Sequence, residues 1–344
     1  MKVPTKSFII VASIMFSATL LYNVMNISHG ESQEAIQVDK KSNMYSNSSL
    51  PVVYEQFNAA QADKVTFIST KSDLSKAAVT YLIHEKEEER VKESLTLLYK
   101  NFLEMFPYPV ILFYDESYSD EALQRLQKFT DTLPVRVMFR RIDFKFPSNF
   151  NPEVDKEVIW PGVIGYKLMI RFWFYEVFNL MSNYDFYMRM DTDSFIHSKI
   201  TYDPFKVMEK KGYTYAYRYI TEDASPVCEG MLDFIDKYAK EHDTLASVNN
   251  LYSFIPAPEK RRDYLPQMFY NNFEIAKIDR FLSKDILEFK NEVDKTKRIF
   301  THRWGDAPLR FYESKLFLDW KREVWHFCDF VYEHRNHKLT FQKC

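Results

Sequence analysis

The sequence predicts an α/β protein in which a parallel sheet carries helices on both faces, set behind an N-terminal transmembrane helix. Two observations carry this prediction. Between Ala77 and Met190, short apolar runs alternate with longer charged stretches of helical period, as strand-helix-strand units do. Near the N-terminus, Phe8 to Met25 is almost uninterruptedly apolar and holds no charge. Composition agrees with an ordered chain: 344 residues, 46% hydrophobic and 17% aromatic, can bury a large core in one or two domains. With 46 basic against 48 acidic residues, no chain-wide field draws in a polyanion such as nucleic acid, so an anionic ligand must be met locally.

Taken in order, the apolar run comes first. Its length is close to the roughly 20 residues that span hydrocarbon, and Lys2 and Lys6 before it favour a cytoplasmic N-terminus. This gives a cytoplasmic tail over 1–7 and a type II signal anchor over 8–27. A cleaved signal peptide is the alternative, because Ser17, Thr19 and Asn23 weaken the run, but no A-x-A-like cleavage site follows. Both readings enter the secretory pathway. From His29 to about Ala62 the chain is polar and weakly periodic, which predicts a luminal stalk over 28–70. Sequons begin at Asn26, close to the membrane, and at Asn47, which is the candidate glycosylation site. The catalytic domain is then 71–344.

Within that domain Ala77 to His84 reads as a buried strand and Glu85 to Met105 as an amphipathic helix. Tyr108 to Tyr114 is the next strand, Asp120 to Thr132 a helix, and Val135 to Ile142 a third strand. Val163 to Met181 has helical spacing, and Tyr184 to Met190 is a strand running straight into carboxylates. Ligands of open α/β sheets sit beyond the carboxyl ends of strands, so chemistry is expected after Met190. The three cysteines, Cys228, Cys328 and Cys344, form no C-x-x-C pair, which argues against structural zinc. Cys328 and Cys344 could be bridged or could be free buried thiols.

Asp191-Thr192-Asp193 sets two carboxylates two residues apart at that strand end. Hard oxygen ligands of this kind suit Mn²⁺ or Mg²⁺, which can neutralise the diphosphate of a nucleotide-sugar. On its own the pattern reads first as a capping or turn pair. Context shifts the balance: the chain enters the secretory pathway, and its six glycines form neither a phosphate loop nor a nucleophile elbow.

Three further segments carry a resemblance: Tyr202-Asp203-Pro204-Phe205, Asn272-Phe273-Glu274-Ile275-Ala276 and Arg303-Trp304-Gly305-Asp306-Ala307-Pro308. In this order and spacing they resemble the fungal Golgi α-1,2-mannosyltransferase family, glycosyltransferase family 15, and the segment from Gly165 to Trp173 is similar to the family's stretch before the metal motif. The resemblance spans about Ala77 to His334. It implies a doubly wound mixed sheet of the GT-A-like nucleotide-sugar transferase type, a GDP-mannose donor, a mannosylated glycoprotein acceptor and Mn²⁺. It also implies a retained α configuration, an α-1,2 linkage and a Golgi membrane location.

Residue by residue, the resemblance makes Glu274 the candidate nucleophile or ion-stabilising carboxylate. Flanked by an aromatic and an apolar residue, it could stand beside a developing oxocarbenium ion. A structural acceptor is the alternative. The family's metal-binding histidine falls in a stretch matched by His326 to His334, so His334 joins Asp191 and Asp193 as a metal ligand, with His337 nearby as a competing choice. Asp306 is placed on the acceptor side, with Gly305 allowing a tight turn and Pro308 opening a helix. Trp304 and Tyr270 are candidate sugar platforms, and Arg171 and Arg189 could meet phosphate or serve in salt bridges. The chain departs from the family in carrying Asp191-Thr192-Asp193 where Glu-Pro-Asp is usual, which keeps two carboxylates. Two alternatives stay open: a transferase for another nucleotide-sugar, and a non-catalytic glycan-binding protein of the secretory pathway.

Overall fold

A computed structural model of the protein describes residues 74–155, 164–335 and 337–340. The expected tail, anchor and stalk and the Asn47 sequon lie outside these residues, among which no helix is long and apolar enough to cross a membrane. The strands are β1 (Ala77–Leu82), β2 (Val110–Tyr114), β3 (Val137–Arg141), β4 (Phe186–Met190), β5 (Ser194–Ile196) and β6 (Tyr215–Tyr217). They continue with β7 (Ile220–Glu222), β8 (Gln267–Phe269), β9 (Phe273–Lys277), β10 (Val324–His326), β11 (Tyr332–His334) and β12 (His337–Leu339). Seven of them form one sheet in the order β10-β6-β9-β4-β1-β2-β3.

The four strands expected from the alternating pattern are β1 to β4, and all pair in parallel. Strand β9 runs antiparallel to both β4 and β6, so the sheet is mixed. The expected helices are found with interruptions. Glu88–Leu98 continues through a π-helical turn, Tyr99–Leu103, and Ile164–Arg171 continues through Phe172–Glu176 to Val177–Leu180. Ser119 caps the helix Asp120–Thr130, its hydroxyl accepting from the Ala122 amide at 3.3 Å and so satisfying a donor that has no partner inside the helix.

The two-residue period of the strands divides the interior into two cores. Ala78, Tyr187, Tyr215 and Ala276 point to one face and pack with the helices Met231–Glu241, Lys284–Lys295 and Asp306–Phe317. Ala77, Val79, Met188 and Ile275 point to the other, against Glu88–Leu98, Asp120–Thr130 and Pro204–Lys211. Each fully buried Val, Ile or Met side chain among them contributes about 1.5–3 kcal/mol. A small antiparallel sheet, β12-β11-β5, stands beyond the end of β4, and this is what builds the site. Cys228 is a free buried thiol and Cys328 is disulfide-bonded; Cys344 lies outside the described residues.

Candidate active site

Because β9 runs opposite to β4, the loop entering β9 and the loop leaving β4 meet at one edge, with Met190 opposite Phe273. The turn 191–194 is held there from several sides. The Asp191 amide donates to the Asn272 carbonyl at 3.2 Å, and the Thr192 hydroxyl donates to Glu87 at 2.7 Å. Ser194 Oγ donates to the Asn272 carbonyl at 3.1 Å and lies 2.8 Å from the Tyr332 hydroxyl. A turn tied to three separate segments can present its carboxylates in fixed directions.

Those directions differ. Strand β5 pairs with β11 so that Ser194 stands opposite His334, which brings the imidazole to the turn. His334 Nε2 lies 3.0 Å from Asp193 Oδ1, and His334 Nδ1 lies 2.6 Å from the Tyr270 hydroxyl. Burial acts to raise the Asp193 carboxyl, but the His334 hydrogen bond and charge, together with Arg335, outweigh it and hold the pKa at about 2. Asp191 turns the other way, to Arg189, whose Nε donates to it at 2.9 Å.

Arg189 is the hinge of a second group. Its Nη1 donates to Asp306 Oδ2 at 2.6 Å, and its guanidinium lies 4.3 Å from the Trp173 ring centre. Burial disfavours its charge, and the carboxylates of Asp191 and Asp306 more than offset this, keeping it protonated. Asn271 Nδ2 also donates to Asp306, at 2.8 Å. Asp306 is the first residue of the helix Asp306–Phe317, where a carboxylate is favoured by the helix dipole. Gly305 has an ordinary extended backbone, so its value lies in space: a Cβ there would sit 3.1 Å from Pro308 Cδ and 3.2 Å from Asp223 Oδ2.

Two expectations, Glu274 and Trp304, are corrected, and Arg171 takes the salt-bridge role of its two. Glu274 is fully enclosed (0% exposed), with the Tyr187 and Tyr215 hydroxyls donating to its two oxygens at 2.6 and 2.8 Å and Arg310 Nε at 3.9 Å. No atom of it is open to a sugar. It stands directly opposite Arg189 across the β4–β9 pair and faces it from the interior side, and burial raises its carboxyl pKa against the pull of Arg310 and Arg189. Trp304 is also fully buried, its indole N–H donating to the Glu229 carbonyl at 3.0 Å, so it is core. Arg171 is spent on Asp294 and Glu176. Tyr270 sets its hydroxyl 2.6 Å from His334 Nδ1 and keeps its ring partly exposed.

Asp193 and His334 fit a divalent ion. Two ligands at about 2.1 Å in cis positions of an octahedron stand about 3.0 Å apart, which is the separation of Oδ1 and Nε2. Tyr270 meets the far ring nitrogen, where ligating histidines are held by a second hydrogen bond. Among the described residues no group of three such ligands gathers, and Asp191 is turned to Arg189. Two protein ligands are sufficient for a hard cation that keeps water and takes substrate phosphates.

The model of the family described as glycolipid 2-alpha-mannosyltransferase matches residues 25–343. The chain belongs to this family. It is a glycosyltransferase of the mannosyltransferase class. It is 27% identical to alpha-1,2 mannosyltransferase KTR1 of Saccharomyces cerevisiae over 280 residues, 78% of this chain and 70% of that protein. With glycolipid 2-alpha-mannosyltransferase of the same yeast it shares 25% over 335 residues, 91% of this chain and 72% of the relative. The fold is that of core-mannan synthase A from Aspergillus fumigatus, solved in a Mn/GDP form, with a TM-score of 0.66, 21% identity and 80% of each chain covered. Yeast Ktr4p, solved with GDP, also gives a TM-score of 0.66, at 22% identity, covering 77% of this chain and 72% of that one.

Several residues around the candidate site were not singled out from the sequence. Arg335 and Arg90 both approach Asp193, and Asn271 holds Asp306. Tyr166, 46% exposed, receives a hydrogen bond from Arg303 Nη1 at 3.3 Å, and Arg303 is anchored on Asp223 at 2.9 Å. Arg335 stands next to His334, and Tyr166 and Arg303 lie inside family-like segments, whereas Arg90 and Asn271 carried no signal of their own.

Proposed function

We propose that the protein transfers α-mannose from GDP-mannose, with retention, to a mannosyl glycan of a glycoprotein, forming an α-1,2 linkage. The reaction depends on Mn²⁺, with Mg²⁺ as a substitute, and takes place on the luminal side of the Golgi membrane. The observation that carries this reading is the meeting of Asp193 with His334 beyond the carboxyl end of β4. An ion bound there would neutralise the diphosphate and ease its departure. Asp193 and His334 would hold the ion, and Tyr270 orients the imidazole. Arg189 ties Asp191 to Asp306, so the donor and acceptor sides are set by one guanidinium. Tyr166 offers an exposed ring to a sugar. Glu274 supports Arg189 from the interior. The apolar run at Phe8 to Met25 supports a membrane anchor, and a disulfide-bonded Cys328 suits an oxidising lumen.

The test is turnover of a nucleotide-sugar panel by the full-length protein, with Mn²⁺ and with EDTA, beside Asp193→Asn. GDP-mannose should be cleaved only with metal, and the variant should lose more than about 100-fold in kcat/KM. Metal-dependent use of a different donor would overturn the substrate. A folded protein that neither turns over any donor nor binds nucleotide with Mn²⁺ would be a glycan-binding protein instead.

A further inference from the structure

Asp193 meets two guanidiniums besides His334. Arg335 Nε lies 3.2 Å from its Oδ2 and Arg90 Nη1 lies 3.9 Å away. The guanidiniums arrive from separate elements, Arg90 from the helix Glu88–Leu98 and Arg335 from the residue after β11. Their side chains are 57% and 61% exposed for Arg335 and Arg90, whereas that of Asp193 is only 8% exposed. A divalent ion taking Asp193 and His334 would set two further positive charges beside both guanidiniums, at a range where like charges repel strongly.

The arginines are long and solvated, so they can leave Asp193. Arg335 cannot leave the site, however. Its backbone N–H donates to the Asp193 carbonyl at 3.2 Å, and its φ of 53° places it in a tight left-handed turn. Only the side chain is free to turn, and it stays within its own length of the ion. The ion's natural companion here is a diphosphate, an anion that arginine binds in a bidentate, charge-assisted way.

We propose that Arg335, with Arg90 in a lesser part, neutralises Asp193 before metal arrives and then passes to the diphosphate of the metal-bound nucleotide. This rests on the reading of Asp193 and His334 as the ion's ligands. The same residue therefore opposes the metal when it binds alone and favours the nucleotide once the metal is in place.

The experiment measures Mn²⁺ binding alone by electron paramagnetic resonance of the free ion, and GDP binding in saturating Mn²⁺ by calorimetry. It uses the full-length protein, Arg335→Ala and Arg335→Lys. Arg335→Ala should bind Mn²⁺ about 5-fold more tightly and GDP about 10-fold more weakly, with Arg335→Lys between the two. Damage to the fold would weaken both, so opposite shifts exclude it. If the unmodified protein shows no Mn²⁺-dependent GDP binding, the proposed function falls and this inference with it. If it binds both, and Arg335→Ala leaves GDP affinity unchanged or weakens Mn²⁺, this inference alone is overturned.

Discussion

Tyr270 offers a ring on which a sugar could stack, yet its hydroxyl is committed to His334 Nδ1 at 2.6 Å. Residue type suggested the aromatic use, and only the fold of β11 against β5 reveals the polar one. Tyr270→Phe keeps the ring and removes the hydroxyl. It should weaken Mn²⁺ binding about 10- to 100-fold, as loss of an orienting partner does, with the unfolding midpoint nearly unchanged. Manganese titration by paramagnetic resonance is the check, and an altered sugar KM with normal metal binding would restore the stacking role. Asp193 and His334 were named from the sequence, one as a carboxylate at a strand end and the other from a family-like stretch, and the fold brings these two together. The partition of the two aspartates was not legible, since nothing in a D-x-D pattern says that one will face an arginine.

At the scale of elements, the helices up to Met190 follow from period, and the strands β1, β2 and β4 from short apolar runs, because these strands are buried on both faces. Strands β5, β11 and β12 do not, being three residues each and too short for a period to show. The choice between His334 and His337 turns on them. The two histidines are paired opposite each other in β11 and β12, and only the first reaches Asp193. The start of the helix Asp306–Phe317 depends on Gly305 for room rather than for an unusual backbone. In Gly305→Ala the new methyl would press on the Pro308 ring and on Asp223, which Arg303 holds at 2.9 Å. A loss of roughly 1–3 kcal/mol is expected, read as a lower midpoint in denaturant, with reduced kcat as Asp306 shifts. An undisturbed midpoint would mean that these neighbours yield freely.

Across the whole molecule, the mixed sheet encloses a cluster of charges that the sequence does not announce. Glu274, Arg310, Glu313 and Lys290 are all fully buried on the face that carries Tyr187 and Tyr215. Burial lowers the pKa of Lys290 from 10.5 to about 7, with Glu313 pulling the other way. The unfolded chain keeps that proton to higher pH than the folded one, so the unfolded state binds more protons between the two values and stability rises with pH through that window. From pH 7 to 9 the rise through this group should be roughly 1 kcal/mol per unit. Lys290→Met should flatten it in denaturant titrations, and an unchanged slope would assign the titration to another group. The pairing of β5 with β11 reaches further still. All seven strands of the main sheet precede β11 in the chain, yet the imidazole that meets Asp193 lies on β11 itself. A ribosome that stalls after β10 would release a protein with every strand of its main sheet and no second donor for the ion. Manganese retention would then separate finished chains from unfinished ones that circular dichroism could not tell apart.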